Sequence, residues 1–298
     1  MSTLEGHPRP SRLQDYIAIA KPRIAVMVLF TVAIGFVLGS EGSPDWWALL
    51  HACLGVGLAA TASNALNQVI ERHSDGQMNR TKLRPLPAGR LTTLEVALFG
   101  VVLAITSAIY LALTVNWLTA GLTFLTILLY AGVYTPLKRY SEFCTAAGAI
   151  PGALPPVLGW VASGAPLNFQ AGLLFSILLF WQFPHFLAIA WIYRRDYSAA
   201  GLKMLPSLGG PQAPGIWALG HAVLLLPFSI GPWWTGLGGV PYLLTAAILG
   251  LLYAWAAWGF LRDQNDVTAR RLLKTSFAYL PGVFLALLFD FVRLSSTP

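Results

Sequence analysis

Nine long apolar runs constrain this chain more than any other feature of its sequence. A membrane-spanning helix needs about 20 apolar residues in succession. Only 10% of the 298 residues are charged, whereas soluble domains carry about 25%. The pattern predicts an all-α integral membrane protein with nine transmembrane helices, at residues 22–40, 46–70, 93–114, 116–134, 143–162, 171–193, 214–235, 241–261 and 272–292.

The basic residues predict how these spans cross the bilayer. All of the 19 Lys and Arg residues except Arg293 lie on the N-terminal segment or on the links after spans two, four, six and eight. By the positive-inside rule we expect that side to be cytoplasmic in the cell inner (plasma) membrane. Residues 1–15 are polar and show no cleavable signal, so we expect one membrane-embedded domain over 1–298 with a polar tail at 1–15. Two cysteines inside apolar runs predict neither disulfides nor a metal knuckle.

The link after span two carries the densest polar chemistry. Asn67, Glu71 and Asp75 are spaced four residues apart, so they share one face if the helix continues that far. Carboxylates followed closely by cations suit a magnesium-bridged polyphosphate, with Glu71 and Asp75 as metal ligands. The alternative is a solvated loop with ordinary membrane-flanking charges. The candidate phosphate partners in this link are Arg80, Lys82 and Arg84, and Arg90 follows them.

Two further links add charges. The link after span six, R-R-D-Y-S-A-A-G-L-K-M-L-P, holds Asp196 between Arg195 and Lys203. If spans 1–4 and 5–8 form an internal repeat, this link faces the first across one cavity mouth. Asp196 is then a candidate ligand of the same or a second metal, although Arg195 alone would neutralise it. The turn Y-T-P-L-K-R adds Lys138 and Arg139, which are either phosphate partners or ordinary flanking cations.

Six motifs, in order along nearly the whole chain, resemble the UbiA-type intramembrane prenyltransferases. They are D-Y-I-A-I-A-K-P-R-I (15–24), N-x3-E-x3-D-x2-M-N-R-T-K-x-R-P-L-P-x-G (67–89), Y-T-P-L-K-R (134–139), W-Q-F-P-H-F (181–186), D-Y-S-A-A-G-L-K-M-L-P (196–206) and A-R-R-L-L-K-x-S-F-A-Y-L (269–280). The P-H-F and D-Y-x3-G-x2-M-L-P motifs resemble the branch that farnesylates haem. Two positions depart from the wider family: Glu71 stands where Asp is common, and Ala200 where a second acid is usual, which argues against two fully protein-ligated metals.

The resemblance implies nine helices around a central cavity and a reaction at its cytoplasmic mouth. Mg2+ would assist the loss of diphosphate from farnesyl diphosphate, and a vinyl group of haem B would capture the allylic cation, with water adding, to give haem O. Asn67, Glu71, Asp75 and Asp196 would be the catalytic residues. The expected partners are the lipid bilayer and a downstream haem-modifying enzyme or terminal oxidase assembly factor, with no nucleic acid.

Three histidines lie in or near spans. A lone buried histidine is usually hydrogen-bonded within the protein, and we expect this of His51 and His221. His185 follows Pro184 and lies about three helical turns from Asp196, which is compatible with a position facing the cavity, where it would contact haem as an iron ligand or a polar partner. The alternative is a hydrogen bond within the protein. Arg270, Arg271 and Lys274 are candidate partners of the haem propionates.

Two other functions are compatible with parts of this pattern. A prenyltransferase acting on a phenolic or quinone precursor would share both acidic links and differ in the haem-branch motifs. A haem-binding membrane transporter would place charges along a path through the bilayer. Here the charges gather at one face, which disfavours transport.

Overall fold

The computed structural model of the chain describes residues 10–205 and 210–296, so Arg9 of the N-terminal segment and Pro206 of the second acidic link lie outside it. Within those ranges every regular element is a helix. The elements are α1 Arg12–Ala20, α2 Pro22–Gly39, α3 Trp46–Gln77, α4 Thr93–Thr114, α5 Trp117–Ile127, a π-helical segment Leu128–Tyr134, α6 Thr135–Leu137, α7 Cys144–Ala153, α8 Pro155–Ala162, α9 Phe169–Ile192, α10 Arg194–Ala199, α11 Ala213–Trp234, α12 Val240–Arg262 and α13 Asp266–Ser295.

The nine predicted spans are confirmed within the described residues. Nine helical segments there are long and apolar enough to cross a bilayer. The fourth combines α5, the π-helical segment and α6, and the fifth combines α7 and α8. The second span extends to Gln77, well past its predicted end at 70, because the helix continues beyond the apolar run and buries Glu71, Ser74 and Asp75 on one face.

The polar N-terminal segment is helical from Arg12 onward. Ser11 begins α1 with a capping box, in which its hydroxyl accepts from the Gln14 amide while the Gln14 side chain accepts from the Ser11 amide. Two amides of α3 then hold the end of α1: Gln68 Nε2 donates to Ile19 O, and Asn64 Nδ2 donates to Ala20 O, both at 3.2 Å. The short helix is therefore fixed against the C-terminal half of α3.

Glycines allow α2 and α8 to touch backbone to backbone. A Cβ atom at Gly35 would collide with Pro156 O, and one at Gly159 would collide with Val32 O. Small residues are the usual means by which membrane helices pack this closely. The short links after α4 and α11 join helices that pack as neighbouring hairpins, α4 with α5 and α11 with α12, as the sequence predicts.

Arg293, the basic residue that the sequence predicts to lie on the opposite side, pairs with a buried acid. Its Nε lies 2.7 Å from Oδ1 of Asp290, whose side chain is fully buried. Asp290 also accepts hydrogen bonds from Gly239 N at 2.6 Å and Tyr242 N at 3.1 Å. These amides belong to the first turn of α12, so Asp290 caps that helix and Arg293 neutralises the cap.

Candidate functional site

The last turns of α3 bury three polar side chains on one face. Asn67, Glu71 and Asp75 are 2%, 6% and 1% exposed, which confirms the predicted shared face. The Asn67 amide donates to Thr135 Oγ1 at 3.1 Å. Polar groups buried at this density must be paired. Their partners come from the cationic links that the sequence places beside them.

Each carboxylate binds one cation. Lys138 Nζ lies 2.7 Å from Glu71 Oε1, and Arg84 NH1 lies 2.6 Å from Asp75 Oδ2. Burial alone would lower the pKa of Lys138, but Tyr134 and the Glu71 carboxylate outweigh it and raise that pKa above its ordinary value, so Lys138 is a cation. The second oxygen of Asp75, Oδ1, is buried and has no hydrogen-bond partner among the described residues.

Arg80 joins the two acidic links at the mouth. Its backbone amide donates to Asp196 Oδ2 at 3.4 Å. Its guanidinium lies over the rings of Tyr193 and Tyr197, 5.0 and 5.8 Å from their centroids. In the described part of the chain, no three acid, histidine or cysteine side chains come close enough together to form a ready metal cage. Asp196 is therefore at the same mouth as the α3 carboxylates without forming a compact cluster with them.

The other predicted phosphate partners lie around the mouth rather than on the carboxylates. Lys82 contacts Asn79 Oδ1 at 2.9 Å, and Arg139 reaches Ile70 O at 3.4 Å. Arg195 is exposed. The Lys203 ammonium donates to Tyr140 O at 3.3 Å, while its backbone amide donates to Lys138 O at 2.8 Å. That backbone bond ties the second acidic link to the turn that carries Lys138.

Lys21 is a further cation at this site that the sequence reasoning missed. It lies between α1 and α2 with a left-handed backbone, φ 50°. Its ammonium makes no hydrogen bond or ion pair with any described residue. Burial, followed by the repulsion of Arg84 and Lys138, lowers the pKa of Lys21 from its ordinary 10.5 to about 7. The sequence signal for this position is the pair Lys21–Pro22 at the start of a span. Proline is favoured at the first helical position, so α2 begins at Pro22 and Lys21 lies between the two helices.

The π-helical segment is the second missed feature. It places Tyr130 and Tyr134 with their ring centroids 5.3 Å apart, and Lys138 Nζ lies 4.3 Å from the centroid of Tyr134. A Cβ atom at Gly148 would collide with the Tyr134 ring, so α7 approaches this tyrosine closely. The wider turn redirects side chains locally, as π-helical turns at functional sites often do.

Beneath the charged mouth lies an apolar cavity of about 300 Å3. Tyr134 and Ile24 line its upper part, and Val56, Thr123 and Leu158 line its lower part. Its walls come from α2, α3, α5, the π-helical segment, α7, α8 and α9, all in the first six spans. A hydrocarbon chain fits such walls, because burying it removes apolar surface from water.

His185 is placed differently from the sequence expectation. Helix α9 ends at Ile192, and Tyr193 interrupts it before α10, so the uninterrupted helix from His185 to Asp196 is wrong. The imidazole Nδ1 lies 2.7 Å from Ser276 Oγ of α13, and its ring stacks on Trp181 with centroids 4.8 Å apart. His185 is not among the residues that line the 300 Å3 cavity. Its contact with haem stays a prediction.

The other predicted residues are two histidines and three basic residues of α13. His51 Nδ1 lies 2.6 Å from Tyr110 OH, and His221 Nδ1 lies 2.7 Å from Trp217 O, which confirms the hydrogen-bonded roles predicted for both. Arg270 and Lys274 are exposed. Arg271 lines a separate groove between the adjoining ends of α12 and α13, so a haem propionate role for these residues also stays a prediction.

Comparisons with known proteins agree on one family. Residues 28–287 match the UbiA prenyltransferase family. The protoheme IX farnesyltransferase of Koribacter versatilis (strain Ellin345) is 40% identical over 299 residues, covering 95% of this chain and 96% of the relative. A solved structure concerning digeranylgeranylglyceryl phosphate synthase in membranes matches with a TM-score of 0.80 at 19% identity, covering 94% of this chain and 99% of that one. A UbiA homolog from Archaeoglobus fulgidus bound to GPP and Mg2+ matches with a TM-score of 0.65 at 16% identity, with the same coverage.

The family match covers most of the chain and includes the mouth and the cavity described above. The solved structures support the helical fold, and the sequence relative supports the family. This multi-pass membrane protein belongs to the UbiA prenyltransferase family.

Proposed function

We propose that this protein transfers the farnesyl group of farnesyl diphosphate to a vinyl group of haem B, with addition of water, giving haem O and diphosphate. The observation that carries the proposal is the pair of buried ion pairs, Glu71 with Lys138 and Asp75 with Arg84, set directly above an apolar cavity. This arrangement suits a ligand with a polyanionic head and a hydrocarbon tail. The farnesyl donor and the haem acceptor are inferred from the relative's name and from the haem-branch motifs.

The donor set fits Mg2+. Carboxylate oxygens are the ligands this cation prefers, and Asp75 offers a buried oxygen, Oδ1, with no partner among the described residues. Glu71 and Asp75 would hold the metal with Asn67 beside them, and Asp196, at the same mouth, would bind the same ion or a second one through the diphosphate side of the site. When bound, Mg2+ would neutralise the charge that develops on the departing diphosphate.

The protein's own cations would bind the remaining phosphate charge. Arg84 and Lys138 already lie at the carboxylates, and Arg80 lies between the two acidic links. The Lys21 ammonium has no hydrogen-bond or ion-pair partner among the described residues and is close enough to Arg84 and Lys138 to be repelled by them. Charge-assisted hydrogen bonds to phosphate are stronger than neutral ones. Fixed donors aimed at developing negative charge lower the barrier to departure of a leaving group.

The cavity would protect the reaction from water. As the bond from farnesyl C1 to the diphosphate oxygen breaks, its electron pair leaves with the diphosphate and an allylic cation remains. Tyr130 and Tyr134 line the upper cavity and present aromatic faces, which attract cations. The terminal vinyl carbon of haem B then forms the new carbon–carbon bond. The cation that remains beside the porphyrin takes oxygen from water, and that water loses one proton.

The cytoplasmic face of the plasma membrane is the proposed location of the mouth. The basic residues gather on that side of the nine spans. Haem O is an intermediate for further modification or for insertion into an oxidase, so a haem-modifying enzyme or an oxidase assembly factor is the proposed recipient.

The test is a defined reaction in which two possible acceptors are compared in separate incubations. Membranes containing the protein are incubated with farnesyl diphosphate, Mg2+ and either haem B or 4-hydroxybenzoate as a phenolic acceptor, and the products are separated by chromatography with mass detection. We expect hydroxyethylfarnesyl haem from haem B and no prenylated phenol. The matched control is membranes carrying Glu71→Gln, which removes the charge and keeps the side-chain shape. Prenylation of 4-hydroxybenzoate with no product from haem B would show that the acceptor is a phenol rather than haem.

A further inference from the structure

The cavity beneath the mouth ends on a packed floor. Val56 and Leu158 line its lower part and also belong to a buried cluster with Val32, Leu111 and Ala120. Thr123 follows Ala120 by one helical turn on α5 and lines the cavity at this level. The floor is therefore apolar apart from the hydroxyl of Thr123.

That hydroxyl has no partner in the described part of the protein. Thr123 is 1% exposed, and its Oγ1 makes no hydrogen bond there. Thr126, one turn closer to the mouth on the same helix, also lines the cavity but donates to Leu122 O at 2.8 Å. The two threonines thus differ in how their hydroxyls are satisfied: that of Thr126 is bonded to the helix, and that of Thr123 needs a partner from the cavity. Water is the group small and polar enough to serve.

The depth of Thr123 matches the length of a prenyl chain. Along the fourth span, Thr123 lies about 20 Å below Lys138, at about 1.5 Å per helical residue. If the diphosphate binds beside Lys138, a chain of three isoprene units runs down most of this length. A fourth unit would have to occupy the floor, displace the water from Thr123 and leave its hydroxyl buried against hydrocarbon, which is unfavourable.

We propose that the Thr123 hydroxyl, with one ordered water, forms a polar stop that makes the cavity select a fifteen-carbon prenyl diphosphate over a twenty-carbon one. The inference rests on the proposed function, because that function places a prenyl chain in the cavity. It adds a specificity-determining residue that lies far from the charged mouth.

The experiment compares kcat/KM for geranylgeranyl and farnesyl diphosphate, with haem B as acceptor. Thr123→Val keeps the side-chain shape and removes the hydroxyl, and we expect it to raise the ratio of twenty-carbon to fifteen-carbon use about tenfold, equivalent to about 1.4 kcal/mol. Thr123→Ser retains the hydroxyl and should keep the wild-type ratio. Thr126→Val is the matched control, because its hydroxyl is already bonded to the helix. An unchanged ratio in Thr123→Val, or an equal rise in Thr126→Val, overturns the polar stop.

Binding measurements test the polar stop independently of the proposed haem acceptor. Radiolabelled farnesyl and geranylgeranyl diphosphates are bound to purified wild type and Thr123→Val with Mg2+ and no acceptor, and the melting temperature of each preparation is checked. Wild-type preference for the shorter chain that disappears in Thr123→Val supports the polar stop even if haem is not prenylated. Equal binding of the two chains by the wild type overturns it. Failure of prenylated haem to form, with this binding pattern intact, counts against the haem acceptor alone.

Discussion

Lys138 Nζ lies 2.7 Å from Glu71 Oε1, and this contact joins the C-terminal ends of the second and fourth spans through two buried charges. A buried charge without its partner costs about 3–5 kcal/mol, so the two residues hold each other in place. The neighbouring contact between Arg84 and Asp75 does the same within one link. The mouth is thus preorganised by the charges that its ligand would engage, and substitutions there affect folding as well as chemistry.

Activity should require a divalent cation and all three acidic side chains. We expect Glu71→Ala, Asp75→Ala and Asp196→Ala each to lower turnover at least ~100-fold, the usual effect of losing charge stabilisation at a leaving group. The measurement is haem farnesylation with and without EDTA. Full turnover in EDTA, or wild-type rates in the α3 variants, would show that the carboxylates serve another purpose.

Controls must distinguish a loss of activity from a loss of folding, because Glu71→Ala leaves the buried Lys138 ammonium without its partner. Glu71→Gln and Asp75→Asn retain hydrogen-bonding groups, so each should melt at a higher temperature than the alanine variant at the same position while remaining inactive. Asp266→Ala is the matched surface control: it removes an exposed carboxylate that pairs with Arg194 at 2.6 Å, away from the two buried ion pairs. It should keep both the melting temperature and the rate.

Lys21 should give the reaction a pH dependence near neutrality. Burial, followed by the repulsion of Arg84 and Lys138, lowers the pKa of its ammonium to about 7, although the carboxylates of Glu71 and Asp75 act in the opposite direction. The cationic form that attracts diphosphate therefore predominates below about pH 7. We expect kcat/KM for farnesyl diphosphate to fall as pH rises through that value, since kcat/KM reports groups of the free enzyme.

Lys21→Arg is the variant that isolates this effect, because a guanidinium stays charged across the range. It should remove the decline attributable to Lys21, while any titration of the diphosphate itself appears equally in both proteins. The lowered pKa also has a folding consequence. Between about pH 7 and 10.5, Lys21 binds more protons in the unfolded chain than in the folded one. The contribution of Lys21 to the free energy of unfolding should therefore increase with pH across this window. Identical pH profiles for wild type and Lys21→Arg would remove Lys21 from the site.

The sequence predicted those features that depend on local spacing. Asn67, Glu71 and Asp75 share a face because four-residue spacing matches the helical period. The nine spans follow from hydropathy. The sequence did not predict which cation pairs with which carboxylate, because the pairing depends on how links distant in sequence fold over the mouth.

The missed features depend on local backbone geometry and tertiary packing. The π-helical turn that aims Tyr134 at Lys138 has no sequence signature in an apolar run. The left-handed backbone of Lys21 depends on α3 amides holding the end of α1. The break at Tyr193 separates α9 from α10, so the continuous helix expected from His185 to Asp196 does not form.

The two chain ends should be accessible from opposite sides of the membrane. We expect Ser2 and the link at 71–92 to be cytoplasmic and Ser296 to lie on the other side, since nine spans separate the ends. Ser2→Cys and Ser296→Cys are labelled with an impermeant maleimide in sealed vesicles, in a background where the native Cys53 and Cys144 are replaced by alanine. Labelling of both ends from the same side would contradict the nine-span topology.

His185 has two competing roles, and the variants that distinguish them lie on two helices. The sequence suggested contact with haem, whereas the structure pairs the imidazole with Ser276 on α13. A buried imidazole in the membrane needs a partner, and Ser276 supplies one. The haem prediction therefore requires that the second ring nitrogen, rather than Nδ1, reaches the substrate.

We expect His185→Ala to weaken haem B binding at least about tenfold while farnesyl diphosphate binding stays near wild type, because the diphosphate binds at the mouth and His185 lies within α9. Haem affinity is measured by absorbance titration, and farnesyl diphosphate affinity by radiolabel binding, on the same preparations. Ser276→Ala is the matched control: it removes the protein partner at Nδ1 and leaves the imidazole able to reach haem. If both variants lower the melting temperature alike and neither changes haem affinity, the histidine is a helix-to-helix hydrogen bond. Selective loss of haem affinity in His185→Ala, with Ser276→Ala close to wild type, would assign the second ring nitrogen to haem.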